Sequence, residues 1–243
     1  MKIVAIIPSR YGSTRFSGKP LAHIHGRPMI QHVYERAAAS PDVRKVVVAT
    51  DDRRIHDAVT AFGGSVVMTS ENCRSGTDRV AEAAERLELE MEDVVVNIQG
   101  DQPLIHPDCI AEVAAPLVAE PEIQMTTLAF KIVIPVEITN PKDVKVTFDV
   151  HGNALYFSRA AIPFARDPDV VCDFYKHLGI YAYRRQFLEI FQDLPDGILE
   201  QIEKLEQLRA MEYGYPIRVV VTSHDSPEVD IPEDITRIEA MFR

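Results

Sequence analysis

Cysteine is scarce in this chain of 243 residues: Cys73, Cys109 and Cys172 are its only thiols, odd in number and far apart. No C-x-x-C pair occurs, so neither a zinc ribbon nor a disulfide framework is indicated, and the thiols read as buried or incidental. Long apolar runs are lacking too. None approaches the roughly 20 residues that cross a bilayer, and the opening Met1–Arg10 segment is too short for a signal peptide and has no small-residue cleavage site after it. These absences lead us to expect a cytoplasmic protein with no membrane partner. Positive charge is in deficit, with 26 Lys and Arg against 37 Asp and Glu and a net charge of −11. That balance argues against general nucleic-acid binding, which needs a basic face. It leaves room for a small anionic ligand held by a local basic cluster. No Gly/Ser-rich linker, low-complexity tract or internal repeat divides the chain, which we read as one domain over 1–243. With 46% apolar and 26% charged residues, a chain of this length buries roughly 70% of its unfolded surface and needs no crosslink.

What is present is an alternation. Residues 3–8, 45–50, 65–68 and 94–99 are strand-like, while 28–39, 53–62 and 77–89 carry helical periodicity. Pro28 suits a first helical turn and Gly63-Gly64 a helix end. This order predicts βαβ units, a mostly parallel sheet and helices on both faces. The second half changes character, with strands expected at 125–131, 144–149, 154–158, 177–183 and 217–222, and helices at 200–212 and 232–242. The expected fold class is α/β, with a mixed sheet and a β-rich second lobe.

The loop after the first strand concentrates chemistry. Arg10, Arg15 and Lys19 fall within ten residues, beside Gly12, Gly18, Ser13 and Thr14. Glycines let backbone N–H groups approach an anion, and the cations neutralise it. A P-loop needs four residues between Gly and Gly-Lys, followed by Ser or Thr. Here five separate Gly12 from Gly18-Lys19, and Pro20 follows. No G-x-G-x-x-G is present either. The loop is therefore a phosphate cradle of another kind, or a solvated basic loop.

Other candidates carry two readings each. Asp101 follows a strand and Gly100, as a carboxylate projecting above a sheet would, or as a turn residue before Pro103. Asp230 follows a late strand, as a metal ligand or as the cap of a helix from Pro232. Ser75-Gly-Thr-Asp-Arg79 is a glycine turn that can meet the edge of a base, or a plain helix start with Thr77 as cap and Asp78 favouring the dipole. His177 is a ligand or a satisfied strand histidine. Glu206 and Gln207 lie between Leu205 and Leu208, either facing a ligand or forming a solvated helix face.

The run Ile6-Ile-Pro-Ser-Arg10-x-x-Ser-Thr-Arg15-x-x-Gly18-Lys19-Pro20-Leu21 resembles the opening signature of the sugar-acid cytidylyltransferases, above all the 3-deoxy-manno-octulosonate (Kdo) cytidylyltransferase, or CMP-Kdo synthetase, family. The similarity continues through Gly26-Arg-Pro-Met-Ile-Gln-His-Val33, Ala49-Thr-Asp51, Ser75-Gly-Thr-Asp-Arg79, Asn97-Ile-Gln-Gly-Asp101, Ala154-Leu-Tyr-Phe-Ser-Arg159, His177-Leu-Gly-Ile-Tyr181, Lys204-Leu-Glu-Gln-Leu-Arg209 and Val229-Asp-x-Pro-Glu-Asp234. An ordered series covering essentially the whole chain is far more specific than any one motif. The resemblance implies a Rossmann-like nucleotidyltransferase fold, with 1–120 mainly binding CTP and 121–243 mainly binding the sugar and forming a homodimer. It implies transfer of CMP from CTP to an acidic eight-carbon sugar, with release of pyrophosphate, in lipopolysaccharide biosynthesis. Arg10, Arg15 and Lys19 would then hold the triphosphate, with Lys19, Arg15, Asp101 and Asp230 the catalytic set. Asp101 and Asp230 would bind Mg2+, Ser75 and Arg79 the base, and Gln99, Arg159, His177, Tyr181, Glu206 and Gln207 the sugar, with Arg159 on its carboxylate.

Two departures stand out. Phe16-Ser17 replaces the usual Leu-Pro, and Gln102 stands where Glu is commoner. The second removes a negative charge beside the metal and sugar, and resembles a branch acting on 8-amino-3,8-dideoxy-manno-octulosonate. A CMP-sialic acid synthetase shares the loop without needing the Arg159, His177 and Glu206-Gln207 set. A silent nucleotide-binding protein would tolerate loss of Asp101 or Asp230.

Overall fold

Unbroken β-branched runs such as Val46-Val-Val48 and Val94-Val-Val96 leave a strand no polar face, so they fold only where both faces are covered. The computed structural model describes residues 1–12, 15–167 and 169–242. In chain order the elements are β1 (Ile3–Ser9), a 3-10 turn (Lys19–Leu21), a small hairpin of β2 (His23–Ile24) and β3 (Arg27–Pro28), α1 (Met29–Ala38), β4 (Lys45–Thr50), α2 (Arg53–Ala61), β5 (Val66–Met68), α3 (Gly76–Arg86), β6 (Val94–Asn97) and α4 (Pro107–Ala119). There follow β7 (Met125–Lys131), α5 (Val136–Thr139), β8 (Lys145–Phe148), β9 (Ala154–Ser158), β10 (Tyr175–Arg184), α6 (Arg185–Asp193), α7 (Ile198–Glu203), α8 (Gln207–Glu212), β11 (Arg218–Thr222) and α9 (Asp234–Glu239).

One sheet runs in the order β11-β7-β10-β6-β1-β4-β5, with the β8–β9 hairpin added beside β10. β1 pairs parallel with β4 and β6, β4 with β5, and β7 with β11, whereas β10 runs antiparallel between β6 and β7. The α/β class and mostly parallel sheet expected from the sequence are therefore what the chain forms. Period-two alternation sorts the core: Ala5, Ile7 and Val96 pack on one face, and Val4, Ile6 and Val95 on the other. A third cluster of Ile24, Met29, Val229 and Ile238 lies under the C-terminal segment.

Strand order reverses at β1, since β4 leads away on one side and β6 lies on the other. Ligands of open α/β sheets bind at such a switch point, beyond the carboxyl ends of the strands. The basic loop leaves β1 there, and Gln99-Gly100-Asp101 leaves β6 beside it. The third cluster holds Val229, and the Val229 N–H donates to the Asp101 carbonyl at 3.0 Å, so Asp230 is carried to the same crevice.

Three sequence expectations are corrected. The helix expected over 200–212 is two helices, α7 and α8, separated at Lys204, which adopts φ +55°. Arg159 supplies the reason, because its guanidinium donates to the Glu203 and Lys204 carbonyls that an unbroken helix would have used internally. The helix expected from Pro232 starts only at Asp234, whose Oδ2 accepts the Asp230 and Ile231 N–H groups. Asp230 is thus not its cap. Ser75, not Thr77, caps α3, accepting the Asp78 N–H at 3.1 Å. The sequence reading also passed over α4 and α6.

Candidate active site

Gly18 shapes the cradle. It takes φ +73°, a Cβ there would meet the Tyr11 ring at 3.0 Å, and its N–H closes the loop onto the Tyr11 carbonyl at 2.9 Å. Ser13 and Thr14 lie outside the described residues. A cleft of roughly 300 Å³ opens above the loop, lined by Arg10, Arg15 and Lys19, by Ser75 and Arg79 at the start of α3, and by Gln99 and Asp101 after β6. The fold thus gathers the residues assigned to the triphosphate and the base around one cavity.

Cations and carboxylates face one another across it. Lys19 Nζ lies 2.6 Å from Asp101 Oδ2 and donates to the Val229 carbonyl at 3.1 Å, while Arg15 reaches Asp230 Oδ2 at 3.3 Å. Arg79 is buried and tethered, with Nη2 2.7 Å from Asp51 Oδ2 and Nη1 donating to Thr69 Oγ1. The Ala49-Thr-Asp51 motif at the end of β4 therefore holds the cleft wall that Arg79 forms.

The residues expected on the sugar side connect to this cleft through the start of α3. Thr77 donates to Glu206 Oε2 at 2.7 Å, tying the α3 start to α8. Burial pushes the Glu206 carboxyl up, and it pushes the Tyr181 hydroxyl up with help from Glu206 and Glu228. His177 stands between Phe157 and Tyr181, with ring centroids 5.1 and 5.2 Å away, and its Nε2 is 3.0 Å from Thr127 Oγ1. Glu206 Oε1 and Gln207 Nε2 are buried without a hydrogen-bond partner among the described residues, as are Ser9 Oγ and Gln102 Oε1. Orphaned buried polar atoms are uncommon, and several beside one cleft suit a polar ligand. Arg159 is placed differently: its guanidinium donates to the carbonyls of Glu203, Lys204 and Pro141, where it shapes the turn presenting Glu206 and Gln207.

Sequence reasoning missed Glu228. It is two residues before Asp230, and its Oε1 accepts from Gln102 Nε2 at 3.2 Å. Burial, then Asp101 and Asp230, push its carboxyl up to about 8, although the residue as a whole is exposed. Gly179, at a bulge in β10 with φ +68°, leaves space here; a Cβ would stand 3.7 Å from Glu228 Oε1 and 3.8 Å from Gln102 Nε2. Only the i, i+2 spacing of Glu228 and Asp230 hinted at this third carboxylate.

Burial lowers the His177 pKa from 6.5 to about 3. The unfolded chain then takes up the proton first, so this contribution to stability is complete above pH 6.5 and is lost as pH falls towards 3. We expect His177→Gln to flatten the acid side of the stability profile, read by urea unfolding near neutrality and near pH 5. An unchanged slope would show that the ring is not held neutral.

A cleft that pairs a basic cradle with convergent carboxylates at a Rossmann-type switch point suits a nucleoside triphosphate, and the comparisons decide which kind. The cytidylyltransferase family model matches residues 4–226. The chain belongs to the cytidylyltransferase family. This cytidylyltransferase is 66% identical to the 3-deoxy-manno-octulosonate cytidylyltransferase of Desulfosudis oleivorans over 242 residues, covering 100% of this chain and 98% of that protein. It is 55% identical to the 8-amino-3,8-dideoxy-manno-octulosonate cytidylyltransferase of Shewanella piezotolerans, covering 99% and 98% of the two chains. A solved CMP:2-keto-3-deoxy-manno-octonic acid synthetase complexed with CTP superposes with a TM-score of 0.93 at 42% identity, covering 99% of this chain and 98% of that one.

Proposed function

We propose that this cytidylyltransferase transfers CMP from CTP to Kdo, releasing pyrophosphate and supplying CMP-Kdo for lipopolysaccharide assembly in the cytoplasm. The observation that carries the reading is the facing of Arg15 and Lys19 against Asp230 and Asp101 at the switch point, with the buried, unpartnered Glu206 Oε1 and Gln207 Nε2 tied to the same cleft through Thr77. In this reading Arg10, Arg15 and Lys19 neutralise the triphosphate and then the departing pyrophosphate. Ser75 and Arg79 border the base. The sugar lies against Gln99, His177, Tyr181, Glu206 and Gln207, with Arg159 shaping their approach or meeting the sugar carboxylate. The hard oxygen donors Asp101 and Asp230 fit Mg2+, which takes few carboxylates alongside phosphate oxygens and water. When bound there, Mg2+ supplies charge neutralisation at the α-phosphate and acidifies the attacking hydroxyl.

No helix among the described residues is long and apolar enough to cross a membrane. A homodimer through the second half belongs to the same proposal, supported by exposed apolar side chains there, including Val136, Val150, Phe164 and Val171. Light scattering after size exclusion checks it, with a monomer mass as the contrary result.

The test of the reaction is the product. CTP and Kdo should yield a CMP-linked sugar by mass spectrometry, with none from sialic acid; a sialic acid product of equal yield would overturn the sugar assignment. Glu228, propped by Gln102, favours a second reading, because this acidic side chain, whose proton Asp101 and Asp230 help to hold, can release it beside a cationic substituent such as the amine of the 8-amino sugar. In that reading Glu228→Gln lowers the kcat/KM ratio of 8-amino over 8-hydroxy sugar by about ten-fold or more. A ratio that does not move removes Glu228 from sugar selection.

A further inference from the structure

A chain of buried hydroxyls and amides runs behind the cleft wall. Tyr181 and Tyr183 of β10 are two residues apart, so both rings stand on the sheet face that α3 covers. Asn97, at the end of β6, shares that face through its i, i+2 relation to Val95. Asn97, Tyr183 and Thr77, in the first turn of α3, are all buried, so their polar atoms must find partners inside the protein. The Tyr183 hydroxyl lies within hydrogen-bonding reach of Asn97 and Thr77. Thr77 in turn donates to Glu206 Oε2 at 2.7 Å. At the other end, Gln99 Nε2 makes a long 3.5 Å contact to Asn97 Oδ1.

One proton per hydroxyl sets the direction of this chain. Thr77 commits its proton to the Glu206 carboxyl group, so its oxygen is left to accept. Burial pushes the Tyr183 hydroxyl up, so it keeps its proton and supplies what Thr77 accepts. Asn97, whose oxygen faces Gln99, then offers its amide N–H to the Tyr183 oxygen. Every donor points towards Glu206, and hydrogen bonds aligned in one direction strengthen one another. Glu206 is thereby gripped at Oε2, while its Oε1 is buried with no hydrogen-bond partner among the described residues. An acceptor fixed in place and still unspent suits a sugar hydroxyl.

We propose, on the reading that Glu206 meets the sugar, that Thr77 and Tyr183 are positioning residues whose hydroxyls fix Glu206 so that its second oxygen receives a sugar hydroxyl. Neither residue lines the cleft around the loop cations, whose α3 wall is Ser75, Gly76 and Arg79. Ser75 is also within reach of Glu206, but its oxygen caps α3, so its loss disturbs the helix and the cleft together. Thr77 and Tyr183 have no such second duty towards the nucleotide. Their loss therefore separates the grip on the sugar from the grip on CTP.

Steady-state kinetics of the full-length enzyme with CTP, Kdo and Mg2+ test this. Thr77→Val keeps the side-chain shape and removes the hydroxyl. It should raise KM for Kdo about ten-fold or more, the scale of one hydrogen bond to a charged group, with KM for CTP within about two-fold of wild type. Thr77→Ser restores the hydroxyl and should bring KM for Kdo back near wild type, whereas a packing role would leave it as impaired as Thr77→Val. Tyr183→Phe should raise KM for Kdo by less, because the Thr77–Glu206 bond remains. Adding Thr77→Val to Glu206→Ala should cost nothing further, since Thr77 acts through Glu206. An unchanged KM for Kdo in Thr77→Val, an equal rise in KM for CTP, or no recovery in Thr77→Ser overturns the proposal while Glu206→Ala still impairs Kdo use. An unimpaired Glu206→Ala overturns the sugar assignment of Glu206 and the proposal with it.

Discussion

Asp101→Ala is expected to lower turnover by about two to three orders of magnitude while leaving thermal unfolding nearly unchanged. One preorganised electrostatic contact to a developing charge is worth about 10²–10³ in rate, and Asp101 is assigned to anchor the ion that neutralises the α-phosphate. Its structural role is small. Its ion pair with Lys19 joins side chains that are 22% and 18% exposed, and the loss of that pair is offset by relief of the repulsion that Asp101 exerts on Glu228. The backbone carbonyl of Asp101 still accepts the Val229 N–H in the variant, so the segment carrying Asp230 stays in place. Steady-state rates with calorimetric melting check this. Near wild-type activity would remove Asp101 from the metal site, and a large fall in melting temperature would make the loss of rate structural. Asp101→Asn keeps the shape and removes only the charge, so it should lose nearly as much activity.

Lys19→Ala is expected to reduce kcat/KM for CTP by about 10²–10³. Lys19 is the innermost loop cation, held between Asp101 Oδ2 and the Val229 carbonyl by 2.6 and 3.1 Å contacts, so its ammonium already stands beside the carboxylate assigned to the metal. Lys19→Arg keeps the charge but replaces a compact ammonium with a planar fork, and should recover only part of the rate. Arg15 is more exposed and its contact to Asp230 is longer, at 3.3 Å, so its loss should raise KM more than it lowers kcat. Comparable effects of Lys19→Ala and Arg15→Ala would contradict this ordering of the cradle.

The parallel half of the sheet was legible because its strands are apolar on both faces, and β4, β7 and β9 begin and end where the residue pattern placed them. α4 escaped because its apolar residues leave little polar stripe and Pro116, inside it, reads as a helix breaker; α6 escaped because it follows β10 without a turn. The break at Lys204 has no local signal, since helix formers surround it; a distant arginine, Arg159, supplies the carbonyl partners that permit it. The site followed the same rule. Residues in a dense local motif, such as Arg10, Arg15 and Lys19, could be read from spacing. Glu228 could not, because what brings it to the cleft is the bulge at Gly179 and the amide of Gln102, both remote in sequence.

Pyrophosphate release measures the central claim most directly. With CTP, Kdo and Mg2+ together, release should be fast; omission of either substrate or chelation of the metal should stop it, and UTP or ATP should not replace CTP. Release that persists without the sugar acid, or that proceeds equally with other nucleotides, would contradict the account.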